Sequence, residues 1–137
     1  MKQQDQVTSL ELSKKLKKLG VKQESLFWHI EWDSDEKEGY FDSKDYPRIV
    51  FSPNATPPIF TVPPKSLYYS AFTVAELGEM LPMTVKYYPV SYITNGTWSI
   101  TMHTQEKDIA RATMIDITEA NARAKMLIYL LENDLLK

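Results

Sequence analysis

The last twenty residues constrain the fold more than any other part of this chain. From Thr118 to Lys137 the apolar residues recur three or four positions apart, which predicts an amphipathic helix with one apolar stripe. The stripe consists of Ala120, Ala124, Leu127, Ile128, Leu131 and Leu135. Because a short helix gains most of its stability from packing, this stripe has to be covered by another layer. The pattern predicts which face of this helix packs against the rest of the fold. It indicates no catalytic or binding function.

Two shorter helices have recognisable first turns. Thr8 with Glu11, and Thr73 with Glu76, have the spacing of a capping box. In this motif the threonine hydroxyl accepts from the third amide of the helix, and the glutamate accepts from the amide of the cap residue. Gly20 suits the left-handed residue that follows a helix end. We therefore expect one helix after each threonine, the first of them ending at Gly20.

The remaining residues favour antiparallel strands. β-Branched and aromatic residues predict strands at 25–32, 39–41, 48–51, 85–93, 97–104 and 109–117. Asn95-Gly96 is the strongest short-range signal for a hairpin turn. Pro89 indicates an edge position, because proline has no amide to donate to the ladder. Five prolines between residues 52 and 66 predict a connection outside the sheet.

The order of these elements predicts the fold class. Helices and strands alternate in a way that is typical of an α+β fold, an antiparallel sheet with three helices packed mainly on one side. A chain of 137 residues is long enough to bury a core of its own. We therefore expect a single α+β domain that spans residues 1–137.

Composition excludes several classes of function. The net charge of −2 gives no overall attraction to nucleic acid or to an anionic membrane. The absence of cysteine excludes disulfides, cysteine-ligated zinc and thiol catalysis. The first residues lack the apolar segment of a signal peptide, and no stretch approaches the roughly 20 apolar residues that span a bilayer. We expect a cytoplasmic protein with no membrane partner.

No catalytic, metal-binding or cofactor-binding residue is predicted. The sequence has no glycine-rich phosphate loop, nucleophile elbow or HExxH motif. The acidic run that begins at Asp33 fails the calcium-loop register, because Lys37 and Lys44 fall on ligand positions. His29 and His103 are the only histidines and have no metal-ligand spacing. The sequence favours a protein that is not an enzyme, with an unrecognised hydrolase as a third hypothesis.

A cluster of lysines in the first helix supports nucleic-acid binding. Lys14, Lys15, Lys17 and Lys18 share its C-terminal half, and Gly20-Val21 follows as in the first half of a helix-turn-helix. The recognition helix that should come next is missing, since residues 25–32 are predicted as a strand. A solvated lysine face explains the same residues. Nucleic-acid binding is therefore the alternative function.

Aromatic residues are dense around the predicted hairpin. The candidates for an interaction surface are Tyr68, Tyr69, Tyr87, Tyr88, Tyr92 and Trp98. Exposed, such residues dominate the binding energy of protein interfaces. Buried, they form the core between the hairpin and a helix. Strand alternation sends Tyr87 and Tyr88 to opposite faces, so the sequence leaves both interpretations open.

Three segments together resemble a family. TSLELSKKLKKLG at 8–20, SAFTVAELGEMLP at 70–82 and TEANARAKMLIYLLEN at 118–133 resemble small uncharacterised phage- and prophage-encoded proteins of gut bacteria. In that family a glycine commonly follows the final helix, whereas this chain has Asp134. The resemblance implies a phage or mobile-element origin and carries over no catalytic residue.

These observations favour a non-enzymatic accessory protein that acts by binding another protein. Self-association through the aromatic residues is the nearest variant. No cofactor is expected.

Overall fold

The computed structural model describes residues 2–32, 42–58, 62, 66–82, 87–104 and 110–135. The helices are α1 (Gln3–Gln6), α2 (Leu10–Lys18), α3 (Val74–Met80) and α4 (Glu119–Glu132), with a short 3₁₀ turn at Ser43–Asp45. The strands are β1 (Phe27–Trp32), β2 (Arg48–Phe51), β3 (Ser66–Ser70), β4 (Tyr87–Thr94), β5 (Thr97–Thr104) and β6 (Ala110–Asp116).

The α+β prediction is confirmed, and each strand pair is antiparallel. The described strands form two sheets of three, which we call the N-terminal sheet (β2-β1-β3) and the C-terminal sheet (β4-β5-β6). Strand β3 was not expected, because it follows directly on the proline-rich segment. The return strand expected at 39–41 lies outside the described residues.

The hairpin at Asn95-Gly96 is confirmed. Both residues have positive φ, 51° and 76°, as a type I′ turn requires. The turn sets the register of β4 on β5, which places Tyr92 opposite Ser99 and Ile93 opposite Trp98.

Helix α4 lies at the centre of the molecule. Seven of its 14 residues are buried, and they include Ala122, Met126 and Leu130, which do not belong to the expected stripe. The helix contacts β5, β6, α2 and α3, so it is enclosed on more than one side. The expected stripe was therefore wrong in extent. It was also wrong at its end, because the helix stops at Glu132 and Leu135 is 56% exposed.

The expected cap of the first long helix was wrong by one residue. Ser9 caps α2, and its hydroxyl accepts from the Leu12 amide at 3.4 Å. Thr8 is fully buried instead, with its Oγ1 2.6 Å from Ser13 Oγ and accepting from the Phe72 amide at 3.0 Å. The contact with Phe72 is distant in sequence, so local spacing could not predict it.

The other expected helix ends are confirmed. Gly20 has φ 88° beyond the C-cap of α2, and the following amide reaches back to the Leu16 carbonyl. Thr73 and Glu76 form the capping box of α3. The Glu76 carboxylate also accepts from the Leu26 amide and from Ser25 Oγ, at 3.0 and 2.9 Å. One side chain thus joins α3 to the start of β1.

We expect Leu127→Ala to destabilise the protein by about 2–5 kcal/mol, because it leaves a cavity where α4 is enclosed. Leu127 is 1% exposed. Leu135→Ala is the control, since that side chain is already solvated. The free energy of unfolding in urea measures both changes, and equal effects would contradict the placement of α4.

We expect Thr8→Val to be more destabilising than Ser9→Ala. The first change leaves the buried Phe72 amide without its acceptor, at a cost of about 1–3 kcal/mol. The second removes a helix cap, typically about 1 kcal/mol. Urea denaturation ranks the two variants, and a larger loss at Ser9 would mean that Thr8 is not the more important contact.

Candidate interaction surface

The aromatic residues that the sequence singles out do not form one surface. Tyr68 and Tyr69 belong to β3 in the N-terminal sheet, whereas Tyr88, Tyr92 and Trp98 belong to the C-terminal sheet. Tyr87 begins β4, and its side chain lies outside the described part of the structure. The six residues therefore have to be considered separately.

Tyr68 and Tyr69 have structural contacts. Tyr68 packs against the cluster of Trp28, Ile30 and Val62, and its desolvation raises the pKa of the phenol. Tyr69 points to the opposite face, where the ammonium groups of Lys14 and Lys17 lie 5.5 and 5.0 Å from its ring centre. Both tyrosines are partly buried by these contacts.

The C-terminal sheet has one face against the core and one open face. Ile100 and Met102 of β5 belong to the buried cluster that includes α4, and Trp98 packs partly buried against it. Strand alternation and register place the opposite set on the other side. We call this set the open face: Tyr88, Val90, Tyr92, Thr94, Thr97, Ser99, Thr101, His103, Thr113 and Ile115.

Tyr92 and Ile115 are the large exposed side chains of the open face. They are 46% and 54% exposed. The register places Ser99 of the central strand between them, so the three residues form one row across the sheet. Sequence analysis missed Ile115, because an exposed isoleucine in a strand has no local signature. Its place in this row follows only from the pairing register of the three strands.

The rest of the open face is small or stacked. Thr101 and Thr113 lie in the next row, with their hydroxyl oxygens 3.0 Å apart. Tyr88 stacks on His103 with ring centres 5.6 Å apart and an interplanar angle of 18°. Ser99 and Thr101 are only 8% and 3% exposed, so the central strand lies in a groove between its neighbours.

The ten described side chains of the open face include no carboxylate, ammonium or guanidinium, and the side chain of Arg111 in β6 lies outside the described part of the structure. Two ion pairs lie near the end of this sheet, Asp116 with Lys125 at 2.8 Å and Glu119 with Arg123 at 2.9 Å. Burial opposes ionisation of Asp116, but hydrogen bonds from Lys125 and from the Ile117 and Thr118 amides outweigh it and lower its pKa.

Most lysines of the cluster bind acceptors within the same molecule. Lys14 binds Glu31 of β1 at 2.7 Å, and this hydrogen bond raises the lysine pKa. Lys15 binds Glu132 at the end of α4, at 2.8 Å. Lys17 donates to the Tyr68 carbonyl at 2.9 Å.

Lys18 is exposed and has no ion pair with the residues that the structure describes. Three of the four ammonium groups therefore have intramolecular acceptors, and the helix does not present a free lysine face.

The two histidines do not converge. His103 lies in the C-terminal sheet, whereas His29 lies in β1, at a cleft of about 480 Å³ lined also by Lys2, Arg48 and residues of the α2 start. His29 Nε2 donates to the Thr8 carbonyl at 2.6 Å, since a carbonyl can only accept. The described residues that line this cleft include no carboxylate of the kind that orients or activates the ring in an acid–base site.

Within the described residues, no group of three or more histidine and carboxylate side chains is placed to hold a metal ion. In the same part of the chain, every helix is too short or too polar to cross a membrane.

We expect His29 to make stability depend on pH. Burial lowers its pKa below the ordinary 6.5, against the opposing effects of the Thr8 carbonyl and of Glu31. Between the folded pKa and 6.5 the unfolded chain binds the extra proton, so the contribution of His29 is complete above about pH 6.5 and declines as the pH falls. Urea denaturation at about pH 7.5 and about pH 5.5 should show a smaller loss for His29→Gln than for the unchanged protein. Equal losses would contradict this assignment.

Comparison with protein-family models, with curated proteins and with solved structures finds no match for this chain. The geometry of the open face and the contacts of the lysines are therefore the grounds on which function is inferred.

Proposed function

We propose that this chain is a non-enzymatic accessory protein of a phage or mobile element, and that it binds another protein through the open face. The observation that carries the proposal is the exposed row of Tyr92 and Ile115 on a sheet face whose ten described side chains carry no charge. The phage origin is supported by the resemblance of the three segments described above. The binding function is supported by the physical character of the face.

The described side chains of the open face share two traits with an interface core, the absence of charge and the presence of large exposed side chains. An antiparallel sheet with one solvated face usually has polar and charged residues there. Interface cores are instead depleted in charge and enriched in tyrosine and other large side chains. The open face combines two large exposed side chains with hydroxyl residues that can hydrogen-bond across a contact. Full burial of an isoleucine is worth about 1.5–3 kcal/mol, and about half of that remains to be gained at Ile115.

The edges of the C-terminal sheet are less suited to binding than its face. Strand β4 contains Pro89, which has no amide to donate to an added strand. On β6 the Ile115 carbonyl already accepts from Lys125 at 3.1 Å. A lysine at an edge strand is a common protection against strand addition. A partner is therefore expected to pack on the face.

Nucleic-acid binding by the first long helix has weaker support. Lys14, Lys15 and Lys17 each already donate to an intramolecular acceptor, so binding a phosphate would share or break these contacts. Release of counterions from the phosphates favours binding, but breaking these ion pairs within the protein offsets part of that gain in binding free energy.

We expect Ile115→Lys to reduce capture of a protein partner about tenfold or more, because it places an ammonium group in a contact that loses water. The tagged protein is incubated with lysate of its native host in nuclease-treated and untreated halves, and captured proteins are identified and quantified by mass. Phe51→Lys is the matched control, since Phe51 is 55% exposed but belongs to the N-terminal sheet.

Capture that resists nuclease, persists in Phe51→Lys and is lost in Ile115→Lys supports the proposal. Capture that disappears with nuclease would overturn it in favour of the lysine helix. Capture that is unchanged in Ile115→Lys would place the interaction on another surface.

A further inference from the structure

We propose that a cleft between the end of α2, α3 and α4 binds a small organic cation, a molecule with an apolar body and one ammonium group. We call it the helical cleft. None of its lining residues belongs to the open face, so this site is independent of the protein-binding surface proposed above. Its volume of about 640 Å³ is within the range of small-molecule sites, roughly 300–1,000 Å³.

The apolar lining of the helical cleft is a partly open edge of the main core. Leu127 of α4 lines the cleft and is buried. Four further apolar side chains line it, pack against the same core cluster and are only partly buried: Leu19, Val21, Met80 and Leu131. Each of the four therefore has apolar surface that a ligand would remove from water. Methionine also adapts to the shape of a ligand, because its side chain is unbranched and flexible.

The charged groups of the helical cleft are mostly carboxylates. Its described lining residues include three glutamates and one lysine, namely Glu24, Glu76, Glu79 and Lys22. Lys22 pairs with Glu24 at 2.9 Å. Glu76 and Glu79 have no ion pair with a described residue, so their two negative charges can attract a ligand. A cleft that combines such charges with apolar walls favours a cation over an anion.

Glu76 is held in place by donors that carry no charge. Its carboxylate oxygens accept from the Leu26 amide at 3.0 Å, from Ser25 Oγ at 2.9 Å and from the Thr73 amide at 2.8 Å. These hydrogen bonds fix the carboxylate and add no positive charge to balance it. A small-molecule site typically has a few polar groups fixed in this way, which orient the ligand.

The position of the carboxylates on α3 suits a ligand with its charge at one end. Glu76 and Glu79 lie three residues apart, so they are neighbours on one side of the helix. Met80 follows them and also lines the helical cleft. An ammonium group paired with these carboxylates leaves the apolar body of the ligand over the leucines that α2 and α4 supply.

Phenylbutylamine, phenylbutanol and phenylbutyrate test this proposal, because they share one apolar body and differ in charge at neutral pH. Each is titrated into the isotopically labelled full chain, and the shifts of the amide resonances give the Kd and the residues affected. We expect the amine to shift the amides of Val21, Glu79 and Leu131 with a Kd of roughly 1 mM, about fivefold tighter than the alcohol. The carboxylate should bind more weakly than the alcohol, since the glutamates repel it.

Glu79→Gln should weaken binding of the amine about threefold and leave binding of the alcohol unchanged, because it removes one charge and keeps the shape of the side chain. Glu11→Gln is the matched control, since Glu11 is an exposed glutamate of α2 that does not line the helical cleft. The amide spectra of both variants also show that they remain folded.

An amine that binds more tightly than the alcohol, shifts the amides of the helical cleft and is weakened by Glu79→Gln alone supports the proposal. Equal binding of the amine and the alcohol overturns it, because the carboxylates then select nothing. Shifts confined to another part of the chain, or no shifts up to about 10 mM amine, overturn it as well.

Discussion

The burial of α4 is the constraint on which the rest of the structure depends. The helix is rich in alanine on several sides, so α2, α3 and the C-terminal sheet can approach it closely at the same time. A helix enclosed in this way fixes which side of the C-terminal sheet is buried. Met102 and Ile100 face α4, and strand alternation then sends Thr101 and Ser99 outward. The open face is thus a direct consequence of packing at α4.

A buried polar cluster at Thr8 joins the N-terminal half of the chain to this core. The amide, carbonyl and hydroxyl of Thr8 all have partners, namely the Phe72 backbone, His29 and Ser13. The cluster therefore connects α2, β1 and the segment before α3 through one residue. Because every polar atom is satisfied, its burial costs little, and the same contact keeps the His29 ring away from solvent. The Thr8 contact thus holds the buried His29 ring in place between β1 and the residues before α2.

Local signals in the sequence predicted the parts of the fold that depend on neighbouring residues. The caps at Thr73 and Thr118 and the turn at Asn95-Gly96 are of this kind, since each needs only residues a few positions apart. The parts that were missed depend on distant contacts. Strand β3 forms because it pairs with β1 despite its proline-rich flank. Of the candidate site, Tyr92 was predicted, whereas Ile115 was not, because its place beside Ser99 follows from the pairing of three strands.

The distribution of charge separates the two ways in which this sheet could associate. Strand addition at the edges is opposed by Pro89 on one side and by Lys125 on the other. The ammonium group of Lys125 also forms an ion pair with Asp116, which balances its charge beside the sheet. Among the described side chains of the open face there is no charged residue that would keep a solvated sheet face from associating. Both edges of the sheet are thus less suited to strand addition, the open-ended mode that leads to fibres, than the open face is to packing against another surface.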